Sequence, residues 1–232
     1  MINSCLHCKD CDTRDRSFMS MASADQLEFI TEAKSCYTYK KGQTIFFEDS
    51  RPLGLFCLNK GKVKIFKTGI DGKEQIIHFG QPGDFVGYRA LIADEKYSVS
   101  ATAIEETTAC FIPRDAFIEM LDNNPKLSRS LLKSLCHEVG IANERIQSMA
   151  QKNVRERLAD TLLLLHNTFD DDSETLIDIS LPREDIANIV GTATETLIRL
   201  LSEFKNDGLV KFEGKKIRLL DIAKLEKLAN PQ

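Results

Sequence analysis

The apolar positions of the chain change their period between residues 112 and 115, from short runs to helical spacing. Before that point, runs rich in β-branched and aromatic residues, such as 63–66 and 75–79, are separated by glycine-containing turns, a pattern typical of strands. Asp71-Gly72, between those two runs, suits a type I′ hairpin turn. Many short strands at regular spacing predict a β-barrel or β-roll of about eight strands.

Helical periodicity predicts helices over residues 24–36, with Ser23 as the N-cap, over 127–150 and over 154–168. In the longest of them, apolar residues stand alternately three and four positions apart, which makes an a/d seam of about three heptads. Such a seam suits either the core-facing stripe of a globular helix or a helix that pairs with a second copy, and the strict alternation favours pairing. The predicted dimerisation residues are Leu132, Leu135, Val139, Ala142, Ile146 and Met149.

Two short amphipathic stretches near the C-terminus predict a helix-turn-helix. Residues 181–190 end at Gly191, and residues 194–201 begin a second helix on which Glu195 and Arg199, four positions apart, share one face. An arginine can grip guanine O6 and N7 with two hydrogen bonds, and a glutamate can accept one from cytosine N4. The second helix is therefore predicted to read DNA.

A basic hairpin follows, and the charge around it is not that of a general nucleic-acid binder. Strand-like runs at 209–212 and 216–219 predict a wing whose Lys215 and Lys216 can touch phosphate. Residues 151–232 nevertheless carry 12 Lys and Arg against 15 Asp and Glu, and the whole chain has a net charge of −4. Bulk charge governs non-specific affinity more than base readout, so specific recognition by a few well-placed cations stays the prediction.

Composition places the chain among ordinary globular proteins and excludes several classes. Its 232 residues are 42% hydrophobic and 28% charged, enough for one or two domains with real cores. No apolar run reaches the ~18 residues that span a bilayer. No basic and apolar leader opens the chain, so a cytoplasmic protein without membrane contact is expected. It lacks the Gly-rich phosphate loop, Gly-x-Ser-x-Gly and His-Glu-x-x-His patterns, and we expect no enzyme.

The order of these elements resembles the Crp/Fnr family of bacterial transcription regulators across essentially the whole chain. The residues that carry the resemblance are the roll turn at 80–87, the hairpin at 71–74 and the second helix at 195–201. It implies an α+β fold with an N-terminal jelly roll (a double-stranded β-helix similar to cyclic-nucleotide-binding domains), a long dimerisation helix and a C-terminal winged helix-turn-helix. The expected parts are a Cys-rich segment at 1–22, a β-roll sensor at 23–126, the dimerisation helix at 127–150 and the DNA-binding domain at 151–232.

The resemblance also implies a function and a set of DNA contacts. A homodimer under ligand or redox control would bind a palindromic operator in double-stranded DNA and contact RNA polymerase. Arg199 would read a guanine and Glu195 the opposite strand, while Ile198 would offer apolar contact, for instance to a thymine methyl. The alternative for Glu195 and Arg199 is an exposed ion pair. The further predicted contacts to bases or phosphates are Thr192, Thr194, Thr196 and Arg183.

Two positions argue against a cyclic nucleotide as the signal. The family's cyclic-nucleotide members hold the ribose with a Glu where this chain has Tyr88, and they hold the phosphate with an Arg-Ser pair about ten residues later. The corresponding stretch here, 97–102, has no Arg, and Arg89 is one position off. A buried phosphate without a cation is very costly, so cyclic AMP is disfavoured.

The N-terminal cysteines resemble those of the family's oxygen-sensing branch, which bind a [4Fe–4S] cluster together with one further cysteine from the roll. Cys110 matches that roll cysteine. The branch has another ligand several residues past its C-x2-C pair, but residues 12–18 contain no Cys here, so Cys5 would serve instead. The predicted metal ligands are Cys5, Cys8, Cys11 and Cys110, since four thiolates hold such clusters.

Other chemistries remain open for the signal. Four thiolates also suit Zn²⁺, a thiol–disulfide switch needs no metal, and haem would use His78, His7 or Cys5 as an axial ligand. A ligand-binding module without DNA activity would keep the roll but would have no reason to carry the base-reading face and the wing. The remaining cysteines, Cys36, Cys57 and Cys136, are predicted to fill cores as small apolar residues.

Overall fold

A computed structural model describes residues 6–169, 176–177, 181–214 and 216–230. Its contacts divide the chain into two units, one of Met1–Gly69 and Ile77–Val139, the other of Ile70–Ile76 and Gly140–Gln232. Within the described residues, the helices are too short or too polar to cross a bilayer.

The first unit contains the β-roll that the strand pattern predicts. Its eight strands form two four-stranded sheets, with orders β1-β8-β3-β6 and β2-β7-β4-β5. The strands are β1 (Ser35–Tyr39), β2 (Thr44–Phe46), β3 (Gly54–Lys60), β4 (Val63–Thr68), β5 (Glu74–Gly80), β6 (Phe85–Val86), β7 (Ser100–Ala103) and β8 (Thr107–Pro113). The predicted roll of about eight strands is confirmed.

Helices flank the roll on the N-terminal side and after its last strand. Three short 3-10 helices, at Cys8–Asp10, Arg14–Arg16 and Phe18–Met21, precede α1 (Ala24–Ala33). Two more, α2 (Tyr88–Ile92) and α3 (Arg114–Asp122), lie between β6 and β7 and directly after β8. These helices bring the N-terminal cysteines beside the sheet that contains β8.

Alternation along the strands separates two apolar layers, because successive side chains of a strand point to opposite faces. In β3, Phe56 and Leu58 belong to the core inside the roll, where they pack with Val63 and Ile65. Leu55 of the same strand belongs to a second core, between the outer face of the sheet and the helices. This outer core positions the candidate sensor site.

Two details, at the end of α1 and at the hairpin between β4 and β5, differ from the prediction. The helix predicted over 24–36 begins as expected, with Ser23 in a capping box with Gln26, but it ends at Ala33, because the following residues form β1 and pair with β8. The predicted type I′ turn needs positive φ at both central residues. Gly72 has φ +73°, whereas Asp71 is not among the residues with positive φ, so the hairpin uses a longer loop.

The long helix predicted over 127–150 is α4 (Pro125–Gln151), and it contains the boundary between the two units. Asn124 caps its start, since the Asn124 Oδ1 atom accepts hydrogen bonds from the backbone N–H groups of Lys126 and Leu127. Leu127 and Leu131 are buried in the outer core. The first two turns of α4 are therefore fixed on the roll.

The second unit is the predicted winged helix-turn-helix. It consists of α5 (Val154–Phe169), α6 (Arg183–Val190), α7 (Thr194–Asn206) and a three-stranded sheet of order β10-β11-β9. The strands are β9 (Leu176–Ile177), β10 (Val210–Glu213) and β11 (Lys216–Leu219), and α8 (Ile222–Ala229) follows. Neither β9 nor α8 is predicted from the sequence. His166 is buried, because it is four positions past Leu162 on the apolar face of α5.

Candidate functional site

The turn between α6 and α7 is held by a side chain from α5. Gly191 ends α6 in the left-handed conformation, at φ +71°, as the Gly in the predicted turn suggests. The Arg157 guanidinium donates hydrogen bonds to the carbonyl oxygens of Val190, at 2.9 Å, and Gly191, at 3.3 Å. A charged donor thereby satisfies carbonyls that the end of the helix leaves unpaired.

The predicted base-reading residues lie on the exposed side of α7. Glu195, Ile198 and Arg199 are exposed, while Leu197 and Leu200 are buried. Arg199 donates to the carboxylate of Glu203, one turn further along, and not to Glu195, the partner in the alternative ion-pair interpretation. The Arg199 guanidinium is largely exposed. Glu195 lies near the start of α7, the part of a groove-reading helix that contacts bases.

The other predicted DNA contacts have different surroundings. Thr192, Thr194 and Thr196 are half-buried around the start of α7. The Arg183 guanidinium lies 4.9 Å from the centre of the Phe212 ring of β10, and its Nη1 atom is buried without a hydrogen-bond partner among the described residues. Burial lowers the pKa of Arg183. To reach a phosphate, Arg183 would therefore have to leave its place on the wing, and Lys215 lies outside the described residues.

Three cysteines stand side by side across the outer face of the roll. Cys110 of β8 is directly opposite Cys36 of β1 and, on its other side, directly opposite Cys57 of β3. Residues opposite each other in neighbouring strands share one face of the sheet. The Cys36 and Cys110 Sγ atoms are 3.2 Å apart.

A small cavity, of about 30 Å³, lies between this row and the N-terminal segment. Among the described residues, its walls contain four thiols, of Cys8, Cys11, Cys57 and Cys110, and no carboxylate. Three of the four predicted metal ligands therefore meet at one place, while Cys5 lies outside the described residues.

The segment that bears Cys8 and Cys11 is attached to its neighbours by a few polar contacts. The Cys8 backbone N–H donates to Thr31 Oγ1 of α1, at 3.0 Å, and Lys34 Nζ donates to the Leu6 carbonyl, at 2.6 Å. Cys11 Sγ accepts from Asn59 Nδ2 of β3, at 3.4 Å. These contacts hold the two N-terminal thiols against the wall formed by the sheet.

Burial and charge set the protonation of the two thiols on the sheet. Burial raises the pKa of Cys57 well above its usual range, the neighbouring thiols add to this shift, and the Lys34 ammonium opposes it. The pKa of Cys110 is raised for the same reason and is also opposed by Lys34. Both thiols therefore hold their protons near neutral pH, and a bound metal would have to displace them.

The donor set fits soft metal chemistry, although the cavity is narrow. All four thiols on the cavity offer sulfur atoms, which suit zinc and iron–sulfur clusters. Within the described residues, no group of three or more His, Cys, Asp and Glu side chains stands close enough to hold one metal ion. A volume of about 30 Å³ admits about two water molecules. An iron–sulfur cluster would therefore require the N-terminal segment to move away from the sheet.

The positions that cyclic-nucleotide members use are occupied by other contacts. Tyr88 is buried and donates a hydrogen bond to the carboxylate of Glu138 on α4. Burial and this carboxylate raise the pKa of Tyr88. Arg89 donates to Ser98 Oγ. The side chain at the expected ribose position therefore joins the roll to α4.

Candidate haem ligands are dispersed among other surroundings. His78 lies on an exposed position of β5, and His7 Nε2 is 3.1 Å from Glu28 Oε2 of α1. Cys57, predicted to fill a core, packs against the outer core and also lines the cavity. The register of β3 against β8 brings Cys57 beside Cys110, and the spacing of residues in the sequence does not predict that register.

Comparisons with known proteins agree with this architecture. Residues 37–124 match the cyclic nucleotide-binding domain family, and residues 156–228 match the Crp-like helix-turn-helix domain family. The chain is 30% identical to the transcriptional activator protein anr of Pseudomonas aeruginosa, over 97% of this chain and 93% of the relative. It is 31% identical to the fumarate and nitrate reduction regulatory protein of Vibrio cholerae, over 97% and 90%.

Among solved structures, FixK2 from Bradyrhizobium japonicum has the same fold. Its TM-score is 0.77 and its sequence identity is 24%, and the match covers 86% of this chain and 98% of that protein. At this identity the likeness concerns the fold.

Proposed function

Because the chain belongs to the Crp/Fnr family of transcription regulators, we propose that it is a homodimer whose operator binding is controlled by an iron–sulfur cluster. One observation carries the proposal: Cys8, Cys11 and Cys110 line the same cavity on the outer face of the roll. In this proposal the signal is sensed by residues 1–22 and 23–126, the dimer forms through residues 127–150, and DNA is bound by residues 151–232.

The proposed reading surface is the exposed side of α7. Arg199 reads a guanine in each half-site, Glu195 reads the opposite strand, and Ile198 contacts a thymine methyl. The threonines Thr192, Thr194 and Thr196 contact the backbone or nearby bases. Exposure of the three reading side chains supports these roles, and the support of the turn by Arg157 fixes the start of α7.

The proposed dimer interface is the apolar seam of α4. Leu132, Val139, Ile146 and Met149 are 60%, 60%, 67% and 44% exposed, an unusual stripe of large apolar side chains along one helix. Their alternate spacing of three and four positions is the spacing of a two-stranded coiled coil, and Ala142 continues it. Leu135 differs, because it is half-buried against the outer core.

The proposed sensor holds the cluster on Cys8, Cys11 and Cys110 with one more thiolate, for which the sequence predicts Cys5. When bound, such a cluster supplies iron–thiolate bonds that respond to oxygen or another oxidant. The chain's own part is to provide the thiolates, to surround them with apolar walls that include Leu27 and Ile112, and to place the Lys34 ammonium beside them. A nearby cation favours thiolates over thiols.

Anaerobic purification tests this function. The protein would be analysed for iron, acid-labile sulfide and zinc, for its visible absorption, and for binding to a palindromic duplex selected from a randomised DNA library. We expect iron and sulfide with broad charge-transfer absorption, bleaching in air together with loss of operator binding, and loss of iron in Cys8→Ser but not in Cys136→Ser, whose cysteine is exposed on α4. A Soret band without sulfide, zinc without iron, or a colourless metal-free protein would each contradict the cluster.

A further inference from the structure

The proposed cluster needs a fourth thiolate that the usual pattern of N-terminal cysteines does not supply, since residues 12–18 contain no Cys. The described residues offer one thiol on the cavity besides Cys8, Cys11 and Cys110, and that thiol belongs to Cys57.

The β3 strand aims Cys57 at the cavity and not into the roll. Leu58 has no exposed surface and packs inside the roll, so Cys57 and Asn59 point to the opposite, outer face. Asn59 confirms this direction, because its Nδ2 atom donates to Cys11 Sγ. Cys57 itself packs against the outer core beside the N-terminal segment.

Cys57 and Cys110 form a pair whose geometry the sheet fixes. They are directly opposite each other in β3 and β8, strands that pair continuously from Gly54 to Leu58. Opposite residues in antiparallel strands have Cβ atoms about 4.5–5.5 Å apart, so both thiols can reach one cluster face without backbone movement. The sheet therefore supplies two pre-organised ligands.

The other two thiols belong to a segment that can adjust. Cys8 begins a three-residue 3-10 helix, and Cys11 follows its end. The segment contacts α1 through polar groups near the surface, among them His7 and Lys9 with Glu28, and Cys8 also packs against the outer core. Exposed ion pairs of this kind contribute little to stability, so these two pairs offer little resistance to an outward movement of the segment that would admit a cluster.

Cys36 lies in the same row but does not meet the same conditions. It neighbours Cys110 on the side away from Cys57 and is not part of the cavity wall. Of the two cysteines that flank Cys110, only Cys57 lines the cavity.

We infer that Cys57 is a cluster ligand, so that the set is Cys8, Cys11, Cys57 and Cys110, two thiolates from the N-terminal segment and two from the sheet. The inference rests on the proposed function. It replaces Cys5 with a residue that would tie the cluster to a central strand of the roll, and each of the four thiols would lose its proton to become a thiolate when the metal binds.

The test compares single serine variants of the full-length protein purified without oxygen. Cys57→Ser, Cys5→Ser and Cys36→Ser would be assayed for iron and acid-labile sulfide per chain, and Cys136→Ser would serve as the control for cysteine removal. Thermal unfolding of each metal-free protein would be measured too, and Cys57→Ala would be added, so that failure to fold is separated from failure to bind the cluster. In wild-type protein, alkylation of each cysteine would be mapped with the cluster present and after its removal by chelation.

We expect Cys57→Ser and Cys57→Ala to lose iron and sulfide while unfolding near the wild-type temperature. We also expect Cys5→Ser, Cys36→Ser and Cys136→Ser to keep both elements, and the cluster to protect Cys57 from alkylation. If Cys57→Ser keeps a full complement of iron and sulfide while Cys5→Ser loses it, the inference is wrong and the proposed function stands. If wild-type protein holds no iron and sulfide, both are wrong. If both Cys57 variants fail to fold, protection in wild type decides: an alkylated Cys57 in cluster-loaded protein overturns the inference.

Discussion

Replacing Arg199 by alanine separates reading of DNA from stability of the fold. In the free protein Arg199 is an exposed residue of α7 whose guanidinium pairs with Glu203 four positions on. Pairs of this spacing on a helix surface contribute about 0.2–0.5 kcal/mol, so the variant should unfold within about 2 °C of the wild type. Loss of the Arg199 side chain should therefore leave the stability of the fold almost unchanged.

Operator affinity should respond far more strongly. A bidentate contact between an arginine and a guanine discriminates by about 1–3 kcal/mol, and a two-fold dimer makes the contact twice. The expected loss is about 2–6 kcal/mol, which corresponds to roughly thirtyfold to more than ten-thousandfold in the dissociation constant. Fluorescence anisotropy on a duplex selected by the wild-type protein measures this loss, with a scrambled duplex of equal length and the salt held fixed.

A second cation on the same helix provides the matched control. Lys205 is exposed in the last turn of α7, away from the start of the helix, and Lys205→Ala removes the same charge. Both variants should weaken binding to the scrambled duplex alike, but Arg199→Ala alone should lower the ratio of operator to scrambled affinity. If the two variants change that ratio equally, Arg199 does not read a base and the reasoning is refuted.

Three further predictions concern the interface, pH and the cavity. Ile146→Glu replaces a side chain that is 67% exposed in the single chain, and it should weaken the dimer by about 3 kcal/mol or more, at least roughly a hundredfold in the dissociation constant. The control Gln147→Glu lies off the seam and should leave the dimer unchanged. Sedimentation velocity measures both, and a dimer insensitive to Ile146→Glu would contradict the proposed interface. Burial raises the pKa of Tyr97 to about 12. The contribution of its buried phenol to folding stability is therefore complete below about pH 10 and is lost as the pH rises through 12. Between these values wild type should lose up to about 1.4 kcal/mol per pH unit more than Tyr97→Phe in urea unfolding, and parallel curves would contradict this. Burial raises the pKa of Cys110 and the Lys34 ammonium opposes this rise, so alkylation of that thiol in metal-free Lys34→Met should shift to higher pH than in wild type; an unchanged profile would exclude the effect.

Local pattern predicted most of the elements because their signals are local. The a/d spacing marks α4 at nearly its full length, and the capping box at Ser23 and the left-handed Gly191 mark helix ends through contacts within a few residues. The end of α1 was misplaced because the pairing of β1 with β8, more than seventy residues away, decides it. The stacking of Arg183 on Phe212 is likewise a tertiary contact without a local signal.

The cysteine site shows the same division between local and distant information. The spacing of Cys8 and Cys11 is visible in the sequence, and Cys110 is found through family resemblance. Cys57 becomes a candidate only when the register of β3 against β8 is known, because a shift of one residue would turn its side chain into the roll. A cysteine in a strand-like apolar run otherwise suits a core filler, as predicted.

The cavity and the first turns of α4 share one packed core, which gives the proposed sensor a physical route to the proposed interface. Leu27 and Ile30 of α1 form part of the cavity wall and pack in the same outer core as Leu127 and Leu131 of α4. Close-packed cores do not deform gradually. If the N-terminal segment moves and displaces α1, the first turns of α4 must therefore shift as well. The exposed seam begins at Leu132, directly after the last of these anchored residues. Control of dimerisation from the cavity therefore requires only that α1 has two stable positions, one with and one without the cluster.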